Sequence, residues 1–154
     1  MEAVVIPMAD ALDMRLAQAK QERARLLELA TIEAEIAQMT ARLAVTKSQV
    51  LAKEITMITA SFFDVAPAAV RSQIRTPAVV EARQTAMFFL HTLCNLGCAE
   101  VGRLMDRDHG TVLHAIKTVR NRCDVEPLFK KCIESLKAVV KDRIERKPCV
   151  PIQG

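Results

Sequence analysis

The stretch CAEVGRLMDRDHGTVLHAIKTVRNR, residues 98–122, decides the fold. Val101 and Leu104 point one way along its first eight residues, Asp106-Arg107-Asp108 breaks the apolar rhythm, and Val112, Leu113, Ile116 and Val119 resume it. Apolar positions three and four apart mark helices, so the stretch reads as two short helices joined by a tight polar turn. The second helix, expected from about His109 to Arg122, opens among Arg107, Asp108, His109 and Thr111. It continues with His114, Lys117, Arg120 and Arg122 on its outward face. All of these can meet base edges or phosphates. In a helix-turn-helix the second helix enters the major groove N-terminus first, and its free backbone N–H groups favour phosphate oxygens. Asp108 also fits the plainer role of an N-cap, and the two roles are compatible.

Outward from this pair, Ala78–Leu96 is apolar nearly all round, through Val79, Val80, Ala82, Ala86, Met87, Phe88, Phe89, Leu90 and Leu93. Such a helix is central and buried, and Gly97 is expected to cap its end. Before it, Pro67 to about Ser72 forms a short helix, and Gln73-Ile74-Arg75-Thr76-Pro77 is a loop with a basic tip. Asp64-Val65-Ala66-Pro67 stops the preceding helix, which runs through Val50, Leu51, Ile55, Met57, Ile58, Phe62 and Phe63, with Ser48 a possible N-cap. After the pair, Asp124 is expected to cap a last helix over 125–146, with Leu128, Ile133, Leu136, Val139, Val140 and Ile144 apolar. Residues 147–154 read as a disordered tail.

At the other end, residues from about 9 to 46 contain neither Gly nor Pro and are rich in helix formers. Leu29, Ile32, Ile36, Met39, Leu43, Thr46 and Val50 alternate in steps of three and four, the seam of a helix that packs on another. Leu12, Leu16, Ala19, Arg23 and Leu26 form a similar stripe in a shifted phase, implying a stutter near Leu26–Leu29. At 1.5 Å per residue Leu12–Leu43 would span about 48 Å, too long for a small domain to cover. A homodimer through this helix is the expectation. Whether the helix breaks near Ser48 or runs on stays open. The expected divisions are 1–47, a coiled-coil-like segment; 48–146, the helix-turn-helix domain; and 147–154.

Composition agrees with an all-α chain: Gly and Pro number four and six of 154 residues, too few for the turns of a sandwich or barrel. Residues 1–47 carry six Lys/Arg against seven Asp/Glu, and residues 48–154 carry sixteen against eleven. The excess positive charge therefore lies wholly in the second segment, as a module that meets a polyanion requires. No stretch approaches the length of a membrane span, and Met1-Glu2-Ala3-Val4-Val5 lacks the features of a secretory signal. The five cysteines, Cys94, Cys98, Cys123, Cys132 and Cys149, are expected as reduced thiols in a cytosol. Cys94 and Cys98 at i, i+4 read as small buried hydrophobes rather than metal ligands. No Ser/His/Asp or Cys/His grouping suggests catalysis, and no metal is expected.

The run Arg107-Asp108-His109-Gly110-Thr111-Val112-Leu113-His114-Ala115 resembles the signature of the DNA-binding domain of the DnaA family of bacterial replication initiators, Arg-Asp-His-Thr-Thr-Val-Leu-His-Ala. Ala82-Arg83-Gln84-x-Ala86-Met87, Glu100-Val101-Gly102-Arg103-Leu104, Ile55–Arg75 and Asp124–Val140 resemble the family's other elements in order, so the resemblance covers about Ser48–Ile144.

The resemblance implies a Trp-repressor-like helix-turn-helix fold and binding of double-stranded DNA. Arg75 matches the basic-loop arginine of the minor groove. Arg83 and Gln84 match residues at the DNA face beside the recognition helix. Asp108 and His109 match the base-reading pair, and Arg107 opens the same signature. Thr111, His114 and Lys117 match positions near phosphates. Gly110 stands where the family has threonine, which removes a contact to a thymine methyl; His91 stands where a lysine is frequent; the turn before Arg107 is one residue shorter than in many relatives. No G-x-x-x-x-G-K-[ST] is present, so neither ATP nor any other cofactor is expected. The function expected is sequence-specific binding at DnaA-box-like sites, in the cytoplasm on the nucleoid, controlling replication initiation or transcription. The alternative is a coiled-coil scaffold whose DNA binding is weak or non-specific.

Overall fold

The computed structural model describes residues 7–146. They form six α-helices: α1 (Met8–Phe62), α2 (Pro67–Arg71), α3 (Pro77–Thr92), α4 (Cys98–Met105), α5 (His109–Val125) and α6 (Pro127–Arg146). No strand occurs among the described residues, as the sequence leads one to expect. The tail over 147–154, with Cys149, lies outside them. By its internal contacts the chain divides between Ala44 and Val45 into two compact units.

In the first unit, α1 carries every described residue after Pro7, and all of them are exposed. The hydroxyls of Thr31 and Thr40 donate to the carbonyls of Leu27 and Ile36, four residues back. These bonds satisfy the two threonines within the helix. Leu29, Ile32, Ile36, Met39 and Leu43 are 45–70% exposed, so the apolar seam is bare. An amphipathic helix gains most of its stability from packing that face.

In the second unit the question about Ser48 is answered: α1 passes through it without a break. Ser48 is not an N-cap; its Oγ donates to Glu100 Oε1 at 3.1 Å. The buried face of this end of α1 is Ser48, Ala52, Ile55, Thr56, Thr59 and Ala60, while Met57 and Phe62 are exposed. Two threonines thus take positions expected of larger apolar residues. They can do so because Thr59 donates to Ile55 O at 2.9 Å and Thr56 reaches Met105 Sδ at 3.9 Å. Asp64 then takes a left-handed conformation, φ 53°, and Pro67 opens α2, where its missing N–H costs nothing.

Helix α3 is central. Val79, Ala82, Thr85, Ala86, Met87, Phe89 and Leu90 are buried, and the helix packs on α2, α4 and α5. It ends at Thr92, earlier than the apolar run suggests. Gly97 does not cap it: Gly97 has φ −67° and is the N-cap of α4, while Asn95 makes the left-handed bend at φ 55°. His91 Nδ1 lies 2.8 Å from the carbonyl oxygen of Leu96, which ties the connection back to α3.

Helix α5 runs on to Val125, so Asp124 lies inside it and caps nothing; α6 starts at Pro127. Ile133, Leu136 and Val140 carry the buried face of α6, whereas Leu128, at 79% exposure, and Val139 face solvent. Leu113 is likewise exposed, leaving Val112, Ala115, Ile116 and Val119 as the inner face of α5.

Candidate nucleic-acid interface

Three pieces of chain meet at the site: the loop over residues 72–76, the first turns of α3, and the corner between α4 and α5. The corner is tight because of Gly102. A Cβ placed there would stand 2.4 Å from the carbonyl oxygen of Arg107, closer than any side chain tolerates. Without it, the Gly102 carbonyl accepts from the backbone N–H groups of Asp106 and Arg107. Asp106 adopts φ 54°, a left-handed conformation that Asp enters more readily than most residues.

Asp108 then caps α5. Its Oδ2 accepts from the Thr111 backbone N–H at 3.0 Å and its Oδ1 from the Thr111 hydroxyl at 2.6 Å. Both bonds favour the charged carboxylate and hold its pKa below the ordinary value, the hydroxyl bond contributing most. The Thr111 hydroxyl proton is thereby committed to Asp108 in the free protein, although the resemblance makes Thr111 a phosphate contact.

Arg83, expected at the DNA face, is almost fully buried. It is 8% exposed. Its Nε donates to Val70 O at 2.7 Å, and its Nη2 donates to Ser72 O at 2.7 Å and Ile74 O at 2.9 Å, with Ala69 O at 3.4 Å. One guanidinium therefore gathers the carbonyls that end α2 and shape the loop. The end of a short helix exposes such carbonyls, and a cation there is favoured by the local dipole. Burial first, then the positive charges of Arg107 and Arg75, push the Arg83 pKa below the usual guanidinium value. Arg107 is half-buried and bridges the corner to the loop: Nη1 donates to Asp106 O at 2.9 Å and Nη2 donates to Ser72 O.

Arg75 itself is exposed and makes no hydrogen bond or ion pair among the described residues. It lines one concave surface together with Gln84, Arg107, Asp108, Thr111 and His114, and Arg83 forms part of its wall. His109 lines an adjoining hollow with Gly102 and Arg103. Gly110 and Lys117 are exposed on α5 outside both hollows. At the far end of α5, Arg122 is not a free outward cation. It pairs with Glu81 at 2.8 Å and Glu126 at 3.2 Å and stacks 4.0 Å above the Phe129 ring. It holds α5 to α3 and α6.

Residues 52–119 match the family model described as bacterial dnaA protein helix-turn-helix. The chromosomal replication initiator proteins DnaA of Bacteroides fragilis and Flavobacterium psychrophilum are 33% and 36% identical to this chain over 91 residues. That stretch is 58% of this chain and 19% of each relative. Residues 52–119 are thus similar to the DnaA helix-turn-helix.

The chain thus spans about a fifth of the length of these relatives. A crystal structure titled as a DNA replication initiation factor shares the fold, with a TM-score of 0.63 at 24% identity over 83% of this chain and 38% of that one. Within this DnaA-like stretch, seven of the ten residues singled out in the sequence line the same concave surface: Arg75, Arg83, Gln84, Arg107, Asp108, Thr111 and His114. Two residues that build it escaped notice as individuals, Gly102 and Ser72. A glycine in the middle of a helix is itself a signal, because it costs about 1 kcal/mol against alanine unless something needs the space. Nothing in the sequence marks the Ser72 carbonyl.

Among the described residues no three His, Cys, Asp or Glu side chains come together as a metal group, and no helix is long and apolar enough to cross a membrane. Cys94 and Cys98 are half-buried and unbridged, and burial pushes the Cys94 thiol pKa up.

Proposed function

We propose that this chain binds double-stranded DNA at DnaA-box-like sites, with α5 in the major groove and the 72–76 loop directing Arg75 into the adjoining minor groove. The observation that carries the reading is the shared concave surface, on which an unpaired Arg75 stands beside Gln84 and the capped start of α5. A short, rigidly held helix N-terminus is the part of this motif that reads bases, and a guanidinium suits the negative potential of a narrow A·T-rich groove. Asp108 and His109 read base edges; Lys117 and His114 meet phosphates. Arg83 acts through the loop rather than by touching DNA. The relatives are named chromosomal replication initiators, which supports a role in controlling replication initiation, or transcription from the same sites, on the bacterial nucleoid. The chain does this without catalysis or ATP, and as a homodimer joined through the exposed seam of α1.

Fluorescence anisotropy with a DnaA-box duplex and a scrambled duplex tests the reading. The box should bind at least roughly ten-fold tighter, since specific binding commonly exceeds non-specific binding by far more. Arg75→Ala should weaken the box and leave the scrambled duplex little changed. Equal binding to both duplexes would overturn the reading and leave a coiled-coil scaffold in its place.

A further inference from the structure

The bare seam of α1 has a direction written into its flanking charges. With Leu29, Ile36 and Leu43 at one core position of the heptad and Ile32, Met39 and Thr46 at the other, the residues just before the first set are Glu28, Glu35 and Arg42. Those just after the second set are Glu33, Thr40 and Lys47. In a parallel pair each residue of the first flank meets the residue of the second flank five positions on in the partner. Glu28 then faces the partner's Glu33, and Arg42 faces the partner's Lys47. Two of three contacts are repulsive. The core adds to this, because a parallel dimer prefers β-branched residues where this chain has Leu29 and Leu43, and Leu where it has Ile32 and Thr46.

Reversing one helix removes the conflict. Like flanks then face each other, and in the register centred between Ala37 and Gln38 each Glu35 lies beside the partner's Arg42. The same register puts Leu29 over Thr46, Ile32 over Leu43 and Ile36 over Met39 of the partner, so every exposed seam residue from 29 to 46 has a core neighbour. Glu28 falls beside the partner's Gln49 and Glu33 beside the partner's Thr40, so no like charges are opposed.

We infer that a second copy of this chain covers residues 29–46 in the antiparallel sense, fixed by reciprocal Glu35–Arg42 pairs. The inference rests on the homodimer reading above and adds its orientation. The C-terminal ends of the two paired segments then point in opposite directions.

Sedimentation equilibrium of the full chain with Glu35→Arg, Arg42→Glu and both together tests it. Each single swap turns two attractive pairs into two repulsive ones, and exposed pairs are individually weak, so dimer dissociation should rise roughly ten-fold. The double variant should return to within about three-fold of the parent, because the pairs re-form with signs exchanged. In a parallel dimer Arg42→Glu would meet the partner's Lys47 and tighten association; that outcome, or single swaps without effect, would overturn the orientation while leaving the dimer. A parent chain that stays monomeric at every concentration would instead remove the homodimer itself.

Discussion

Arg83 and Arg107, twenty-four positions apart, donate to one and the same acceptor, the carbonyl oxygen of Ser72. A backbone carbonyl has two lone pairs and can take both. The result is a single knot between the end of α2, the first half of α3 and the corner that launches α5. Arg75, three residues beyond Ser72, inherits its place from that knot.

Replacing Arg83 by alanine leaves the carbonyls of Val70 and Ile74 without their donor, and that of Ser72 with Arg107 alone. Charge-assisted hydrogen bonds are worth about 1.5–3 kcal/mol each when broken, and water can satisfy part of the loop, so a net loss of about 2–3 kcal/mol is expected in urea denaturation. Lysine should recover less than half, since one ammonium cannot span carbonyls that a planar fork reaches together. A cost below about 0.5 kcal/mol for alanine would show that the loop holds itself.

At Gly102 the usual preference is reversed. Alanine in place of glycine normally strengthens a helix interior by about 1 kcal/mol. Here the added carbon would stand 2.4 Å from Arg107 O, so Gly102→Ala should destabilise by about 1–3 kcal/mol and displace the corner. Gly110→Ala is the comparison: its Cβ would meet only the Asp108 carboxylate, at 3.0 Å, and that side chain can give way. Thermal denaturation of the two variants should separate them clearly. A gain in stability at 102 would refute the close approach.

These two residues also mark what could be read in advance. The outward face of α5 and the basic loop were legible because exposed Arg, Asp, His and Lys beside a turn have few other reasons to gather. The helices were legible from their apolar spacing. Arg83 was legible as unusual, an arginine in an apolar helix, but its partners are backbone carbonyls of a loop that the sequence cannot place. Asp124 misled for a related reason. Asp before an apolar run suggests an N-cap, yet the stronger local signal was Pro127, which cannot donate an N–H and fits the first turn of α6. Thr56 and Thr59 were overlooked because a hydroxyl with an acceptor at hand, Met105 Sδ for Thr56 and Ile55 O for Thr59, packs as well as a methyl, which polarity alone does not convey.

Asp108 gives the domain a pH dependence of definite sign. Its folded pKa is lowered by the bonds from Thr111, so the unfolded chain holds its proton more tightly. The stabilisation is therefore complete above the ordinary aspartate value of about 4 and is lost as pH falls through the lower, folded value. The gap in melting temperature between the parent and Asp108→Ala should be constant from neutral pH down to that region and narrow below it. A gap that widens on acidification would contradict the carboxylate's role as cap.

Lys117, exposed on α5, should act without regard to sequence. Lys117→Ala is expected to weaken box and scrambled duplexes alike and to reduce the slope of log affinity against log salt by about 0.9, one phosphate's share. Titrations at several salt concentrations measure this directly. An unchanged slope would place Lys117 away from the backbone.

Helix α5 is fastened near its start through Arg107 to the 72–76 loop and near its end through Arg122 to Glu81, Glu126 and Phe129. Pinned at both ends, α5 is already assembled before any ligand arrives, so binding pays little for ordering its backbone. The heat-capacity change of association should then reflect the apolar surface covered at the contact and nothing resembling coupled folding.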